Sequence, residues 1–175
     1  CAPRQGKVFG PACGAGCRCV RCENVCGRRQ GSAARDLTVV GQEKTEGTLP
    51  LAKMNLAMHG ISGDIRLANS YYEDPHDAPG RFDFVMANPP FNVSGVDKDR
   101  LKDDGRFAIG LPTTDNDNYL WIQLFASALN ETGRAGFVMA HSAGDARGRA
   151  VQIRQRAIQG GAGGVSGGRC AHCFR

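Results

Sequence analysis

Four consecutive residues, Asn88-Pro89-Pro90-Phe91, carry the most specific chemistry in this 175-residue chain. They end an apolar run over 82–87. Two prolines in a row cannot continue a sheet ladder, because neither has a backbone N–H to donate. The side-chain carbonyl of Asn88 and the backbone carbonyl of Pro89 are two acceptors whose geometry the prolines hold fixed. Aimed at the two hydrogens of an exocyclic amino group, they favour a pyramidal nitrogen whose lone pair is no longer delocalised into its ring. Such a nitrogen can attack a methyl group. Phe91 adds a ring face on which a planar base can stack, worth ~1–3 kcal/mol by analogy with other base–aromatic contacts. Read alone, the segment could equally be a turn, since Asn and Pro are both turn residues.

Two signals upstream weigh against the plain turn. Pro11-Ala12-Cys13-Gly14-Ala15-Gly16 contains glycines that permit a tight turn and close approach of backbone to a ligand. Glu43 ends a strand-like run further on, where a carboxylate can accept both hydroxyls of a ribose. Each is weak by itself, because Gly-rich turns and solvated acids are common. A Gly-rich turn, an acid and an amine clamp in this order are a more demanding combination.

The elements that would position these residues are legible in the spacing of apolar side chains. Strand-like runs cover 36–43, 64–69, where Ile65 and Leu67 alternate, 82–87, which is apolar enough to be buried on both faces, and 135–141. Helical spacing covers 49–60, with Leu51, Met54, Leu56 and Met58 before the stop at Gly60. It also covers 118–133, with Trp121 expected in the core and Gly133 as the stop. This alternation predicts an open, doubly wound α/β sheet. Ligands of such sheets bind outside the carboxyl ends of the strands, where all three signals fall. The long polar stretch between Phe91 and Asn118 is of a length that is usually functional or mobile.

Charge and cysteine divide the chain differently. Lys and Arg outnumber acids seven to one in 1–35 and six to one in 145–175, while 36–144 holds nine against fifteen. All eight cysteines lie in the basic ends, which are rich in Gly and Arg and poor in apolar periodicity. Residues 17–35 and 160–175 therefore read as frame-shifted or degenerate. Cys19/Cys22 and Cys170/Cys173 have the spacing of half a tetrahedral zinc site. The pairs are far apart and the other spacings irregular, so no metal is expected. The four histidines have no spacing that suggests a ligand set. No apolar run approaches the ~18 residues of a membrane span. With Cys1 first and no charged-then-apolar leader, the expectation is an excerpt of a longer, cytoplasmic protein.

The motifs also carry a resemblance. "NPPF" looks like the catalytic motif of amino-group methyltransferases that use S-adenosyl-L-methionine, and "PACGAG" like their methionine-binding loop. "GQEK" (41–44), "LAKMNLAMHGI" (51–61), "FDFVMANPPFN" (82–92) and "NDNYLWIQ" (116–123) resemble the modification (M) subunit of type I restriction-modification systems. The resemblance implies a partial, Rossmann-like methyltransferase core over 1–158; the Gly-, Arg- and Cys-rich composition of 159–175 reads as a disordered or out-of-frame tail. It implies methyl transfer to N6 of adenine in double-stranded DNA, with specificity and restriction subunits as partners and no membrane. The target adenine would have to be flipped from the duplex. In that reading Pro11, Cys13, Gly14 and Gly16 form the cofactor turn and Glu43 binds the ribose hydroxyls. Asn69 lies near the cofactor adenine, and Asn88, Pro89, Pro90 and Phe91 hold the target base. The family pattern has an acid before the Pro of the Gly-rich turn, where this chain has Gly10. The alternatives are a methyltransferase acting on a protein glutamine or on RNA, whose planar amine fits the same clamp, and a non-catalytic remnant that only binds partner subunits.

Overall fold

The structure, a computed structural model, describes residues 6–20, 37–91, 93–112, 118–138 and, for the backbone alone, 172–174. The sheet contains β1 (Gly6–Gly10), β2 (Leu37–Glu43), β3 (Gly63–Leu67), β4 (Phe82–Ala87), β5 (Leu129–Phe137) and β6 (His172–Phe174). Their order is β3-β2-β1-β4-β5-β6. The first five pair in parallel and β6 adds antiparallel to β5. Helix α1 (Leu49–Met58) links β2 to β3, and α2 (Asn118–Ala128) leads into β5. The chain thus winds outward in both directions from β1 and β4, as the sequence predicted.

The two faces of the sheet bury different clusters. On one, α2 supplies Leu120, Trp121, Leu124 and Phe125, which pack with Phe9, Phe82, Val85 and Ala87. Aromatic contacts run from Tyr71 to Trp121 (4.8 Å), Phe125 (6.0 Å) and Phe137 (5.0 Å). Such pairs contribute ~0.5–1.5 kcal/mol each beyond their buried area. On the other face, Ala52 and Leu56 of α1 pack with Val39, Ile65, Cys19 and Val20. Neighbouring Val8 and Leu37 are covered by Phe84 and Met86. β4 is therefore used on both faces. A register shift between Phe82 and Phe84 changes the phase of its alternation, so that Phe82 shares a cluster with Val85 and Ala87.

Several expectations change in detail. The helix over 118–133 stops at Ala128 and the following strand begins at Leu129, not at 135. Gly133 is not a helix stop. It lies in β5 where a Cβ would come within 2.7 Å of the Phe82 carbonyl, so its lack of a side chain permits the close strand pairing. Gly60 does end α1, at φ +67°, with its N–H on Ala57 O and the Ile61 N–H on Leu56 O. The face of α1 that is buried is Ala52 and Leu56, whereas Leu51, Met54 and Met58 are exposed. Leu67 is also half exposed, because β3 is an edge strand. Residues 17–20 are helical and bury Cys19 and Val20 against α1, although the cysteine-rich segment shows no helical stripe. β1 is too short to stand out as a strand in the sequence. The remaining frame-shift segments, 21–35 and 160–171, and the cysteines Cys22 and Cys170 of the zinc reading lie outside the described residues. So does most of the tail over 159–175.

Candidate active site

The carboxyl ends of β1, β2, β3 and β4 open onto one cavity of about 620 Å³, at the point where the winding direction of the sheet reverses. Its wall includes Pro11, Cys13, Gly14, Glu43, Asn69, Asn88, Pro89, Pro90 and Phe91. These residues span most of the described chain, and parallel pairing of their strands brings them together. Gly16 is the one expected site residue that does not line the cavity. It sits at φ +78° with its would-be Cβ 3.2 Å from Ala52 O, so it allows the turn to rest on α1.

The Gly-rich turn is fixed from both sides. Cys13 N–H donates to Gln42 O at 3.0 Å, and Gly14 N–H donates to Glu43 Oε2 at 2.8 Å. Gly14 has φ +54° and nothing within 4 Å of its would-be Cβ, which leaves an open cradle above the turn. Glu43 Oε1 accepts the Thr45 N–H at 2.9 Å. The carboxylate is thereby oriented by two backbone donors, while an ionised carboxyl has about four lone-pair sites. Two are left for hydroxyls of a ligand.

Gly10, where the resemblance leads one to expect an acid, has a local explanation. A Cβ there would lie 2.8 Å from the Cys13 sulfur. That thiol donates to Gly10 O at 3.2 Å and fills the space under the turn. A hydrogen bond with Cys19, together with burial, raises the Cys13 pKa well above the ordinary thiol value. The same bond lowers that of Cys19. Cys13 is consequently a neutral packing group at physiological pH and not a nucleophile.

Asn69 follows β3 within a tight turn. Its N–H donates to Glu73 Oε2 at 2.6 Å and its Oδ1 accepts the Tyr71 N–H at 3.2 Å. Ser70 Oγ donates to Pro11 O at 2.5 Å, joining this turn to the Gly-rich one. Opposite, Asn88 and Phe91 are exposed on the wall and Pro89 is buried beneath them. No hydrogen bond within the described residues engages the Asn88 amide. Ser70, Tyr71 and Trp121 also line the cavity. The sequence assigns no role to Ser70 or Tyr71 and places Trp121 in the core. Trp121 is buried, as expected, but one part of it forms cavity wall. Adjacency of Ser70 and Tyr71 to Asn69 was the available signal. Among the described residues no group of three or more His, Cys, Asp or Glu is arranged to hold a metal. Nor is any helix among them long and apolar enough to cross a membrane.

Comparison with known proteins adds to this geometry. The family model described as N-6 DNA Methylase matches residues 1–161. The chain is 39% identical over 162 residues to the type I restriction enzyme MjaIX methylase subunit of Methanocaldococcus jannaschii, covering 89% of this chain and 29% of that protein. It is 34% identical over 140 residues to the HindI methylase subunit of Haemophilus influenzae, covering 79% and 31%. Among solved structures, the type I restriction-modification system methyltransferase subunit from Streptococcus thermophilus superposes with a TM-score of 0.77 at 24% identity, covering 89% of this chain and 34% of that one. That likeness shows the Rossmann-like methyltransferase fold. The chain spans less than a third of the length of either curated relative.

Proposed function

Because the chain belongs to the N-6 DNA methylase family, we propose that it is the catalytic core of the modification subunit of a type I restriction-modification system. Its reaction is methyl transfer from S-adenosyl-L-methionine to N6 of an adenine flipped out of double-stranded DNA. The observation that carries this reading is the convergence of Gly14, Glu43, Asn69 and Asn88–Phe91 on one cavity.

The residues fit the cofactor in three respects. Gly14 offers an open cradle, Glu43 presents an oriented carboxylate for ribose hydroxyls, and Asn69 stands beyond it for the adenine. When bound, the cofactor supplies an electrophilic methyl on a positively charged sulfur. Asn88 Oδ1 and the Pro89 carbonyl accept the two N6 hydrogens of the target adenine and direct its lone pair outward. Phe91 stacks on the ring, which holds the flipped base once it has left the duplex. Pro89 and Pro90 keep both acceptors in place without reorganisation during the reaction. Specificity and restriction subunits of the same system are the proposed partners, and the cytoplasm is the proposed location.

The test is a subunit completed with the parts its relatives possess, incubated with methyl-labelled S-adenosylmethionine and duplex DNA. Label recovered as N6-methyldeoxyadenosine, and lost with Asn88→Ala, is the expected result. Label in RNA or in a protein glutamine would favour the alternative amine substrates. A folded subunit that transfers nothing would leave a partner-binding remnant.

A further inference from the structure

The segment that follows the Asn88–Phe91 motif is tied to the opposite wall of the cavity, above all by the side chain of Arg106. Arg106 is almost fully buried, with 9% of its side chain exposed. Its Nη1 donates to Ser70 O at 3.1 Å and to Glu73 O at 3.2 Å, and its Nη2 donates to Tyr71 O at 3.2 Å. Nε and Nη2 also grip the Asp104 carboxylate, at 3.0 and 2.6 Å. Three attachment points, at Ser70, Tyr71 and Glu73, thus lie on the turn that carries Asn69. Gln42 Nε2, fully buried, holds the same Glu73 carbonyl at 3.0 Å. Nearby, Asp97 N–H donates to the Tyr72 hydroxyl at 2.9 Å and the Arg100 guanidinium lies 4.3 Å from the Tyr72 ring.

We infer that Arg106 is a positioning residue for the cofactor. Through the carbonyls of Ser70, Tyr71 and Glu73 it fixes the turn that presents Asn69 to the cavity and that supports Pro11 through Ser70 Oγ. It does so from the segment between the base clamp and α2, so the two halves of the site share one brace. This rests on the reading of the cavity as the cofactor seat. The task suits arginine and not lysine. A planar guanidinium reaches three carbonyls and a carboxylate at once, whereas an ammonium is a point charge with three donors. Lysine at 106 could satisfy Asp104 or one carbonyl but would release the others. The long polar stretch after Phe91 thereby acquires a specific role in holding Asn69.

Calorimetric titration with S-adenosylhomocysteine tests this on the 175-residue chain, at a temperature where thermal melts show each variant folded. Arg106→Lys is expected to weaken binding about tenfold. Arg106→Gly is expected to lose binding and to regain part of it in millimolar methylguanidinium, which refills the brace. Affinity unchanged in Arg106→Lys, with only a lower melting temperature, would make Arg106 a structural residue and overturn the inference. A loss in Arg106→Gly that methylguanidinium leaves untouched would also overturn it. Failure of the unmodified chain to bind would instead remove the cofactor reading itself, and this inference with it.

Discussion

Replacing Glu43 by glutamine changes one oxygen and tests the cofactor half of the site. The native carboxylate accepts Gly14 N–H on one oxygen and Thr45 N–H on the other. Glutamine can accept only through its single carbonyl. In either orientation of the amide, its NH₂ faces a backbone N–H, donor against donor. One of the two bonds is lost, and the Gly-rich turn or the start of α1 is displaced. Binding must then pull the displaced turn back without that bond; hydrogen bonds to a charged group contribute ~1.5–3 kcal/mol each, which corresponds to roughly a 10- to 150-fold weaker complex. The neutral amide also holds ribose hydroxyls less strongly, which moves the result toward the upper end. Calorimetry with S-adenosylhomocysteine, alongside a thermal melt, separates this from unfolding. Binding at the native affinity by folded Glu43→Gln would refute the reasoning, because neither the turn nor the ribose would then depend on the carboxylate.

Three further outcomes follow from the same geometry. Phe91→Ala should raise the KM for DNA by roughly 5- to 150-fold, with a smaller effect on cofactor affinity, since the main loss is that of one base–aromatic stack; steady-state kinetics of the completed subunit with each substrate varied checks it. Gly10→Asp should lower the melting temperature, because its Cβ meets the Cys13 sulfur at 2.8 Å, and adding Cys13→Ala should recover much of the loss; additive effects in the double variant would contradict that packing. Asp104 gives a pH signature. Burial alone would push its carboxyl up, but hydrogen bonds from the Arg106 side chain and backbone hold it below the ordinary 3.8. A depressed carboxyl stabilises the fold above that ordinary value and loses the contribution as the pH falls through the folded one. The stability gap between the native chain and Asp104→Asn, measured by denaturant melts, should therefore be widest near neutrality and close in acid.

The residues that share the cavity are more legible in the sequence than the elements that carry them. Asn88–Phe91, Glu43 and the Gly-rich turn were readable because each has a local chemical logic, and a parallel sheet obliges strand ends to meet. The end of α2 at Ala128 is not legible in the sequence because Gly133 has two possible uses, as a helix stop and as a point of close strand approach. Only the proximity of the Phe82 carbonyl selects the second. The buried face of α1 is not legible either, for a related reason. Its periodic Leu and Met residues suggested one stripe, while the short side chain of Ala52 is what lets the helix meet Gly16 and the sheet. The brace made by Arg106 has no sequence signature at all. Its partners are backbone carbonyls some thirty residues away, and carbonyls are the same in every residue.

The central claim is that the cavity at the strand ends is the seat of the cofactor, facing an amine clamp. Trp121 lines that cavity and is the only tryptophan in the chain, so its fluorescence reports on the site directly. Titration with S-adenosylhomocysteine should give a saturable change in Trp121 emission, shifted to higher concentration by Glu43→Gln. Emission that stays constant, from a folded chain that still binds the ligand by calorimetry, would place the cofactor elsewhere and contradict the account.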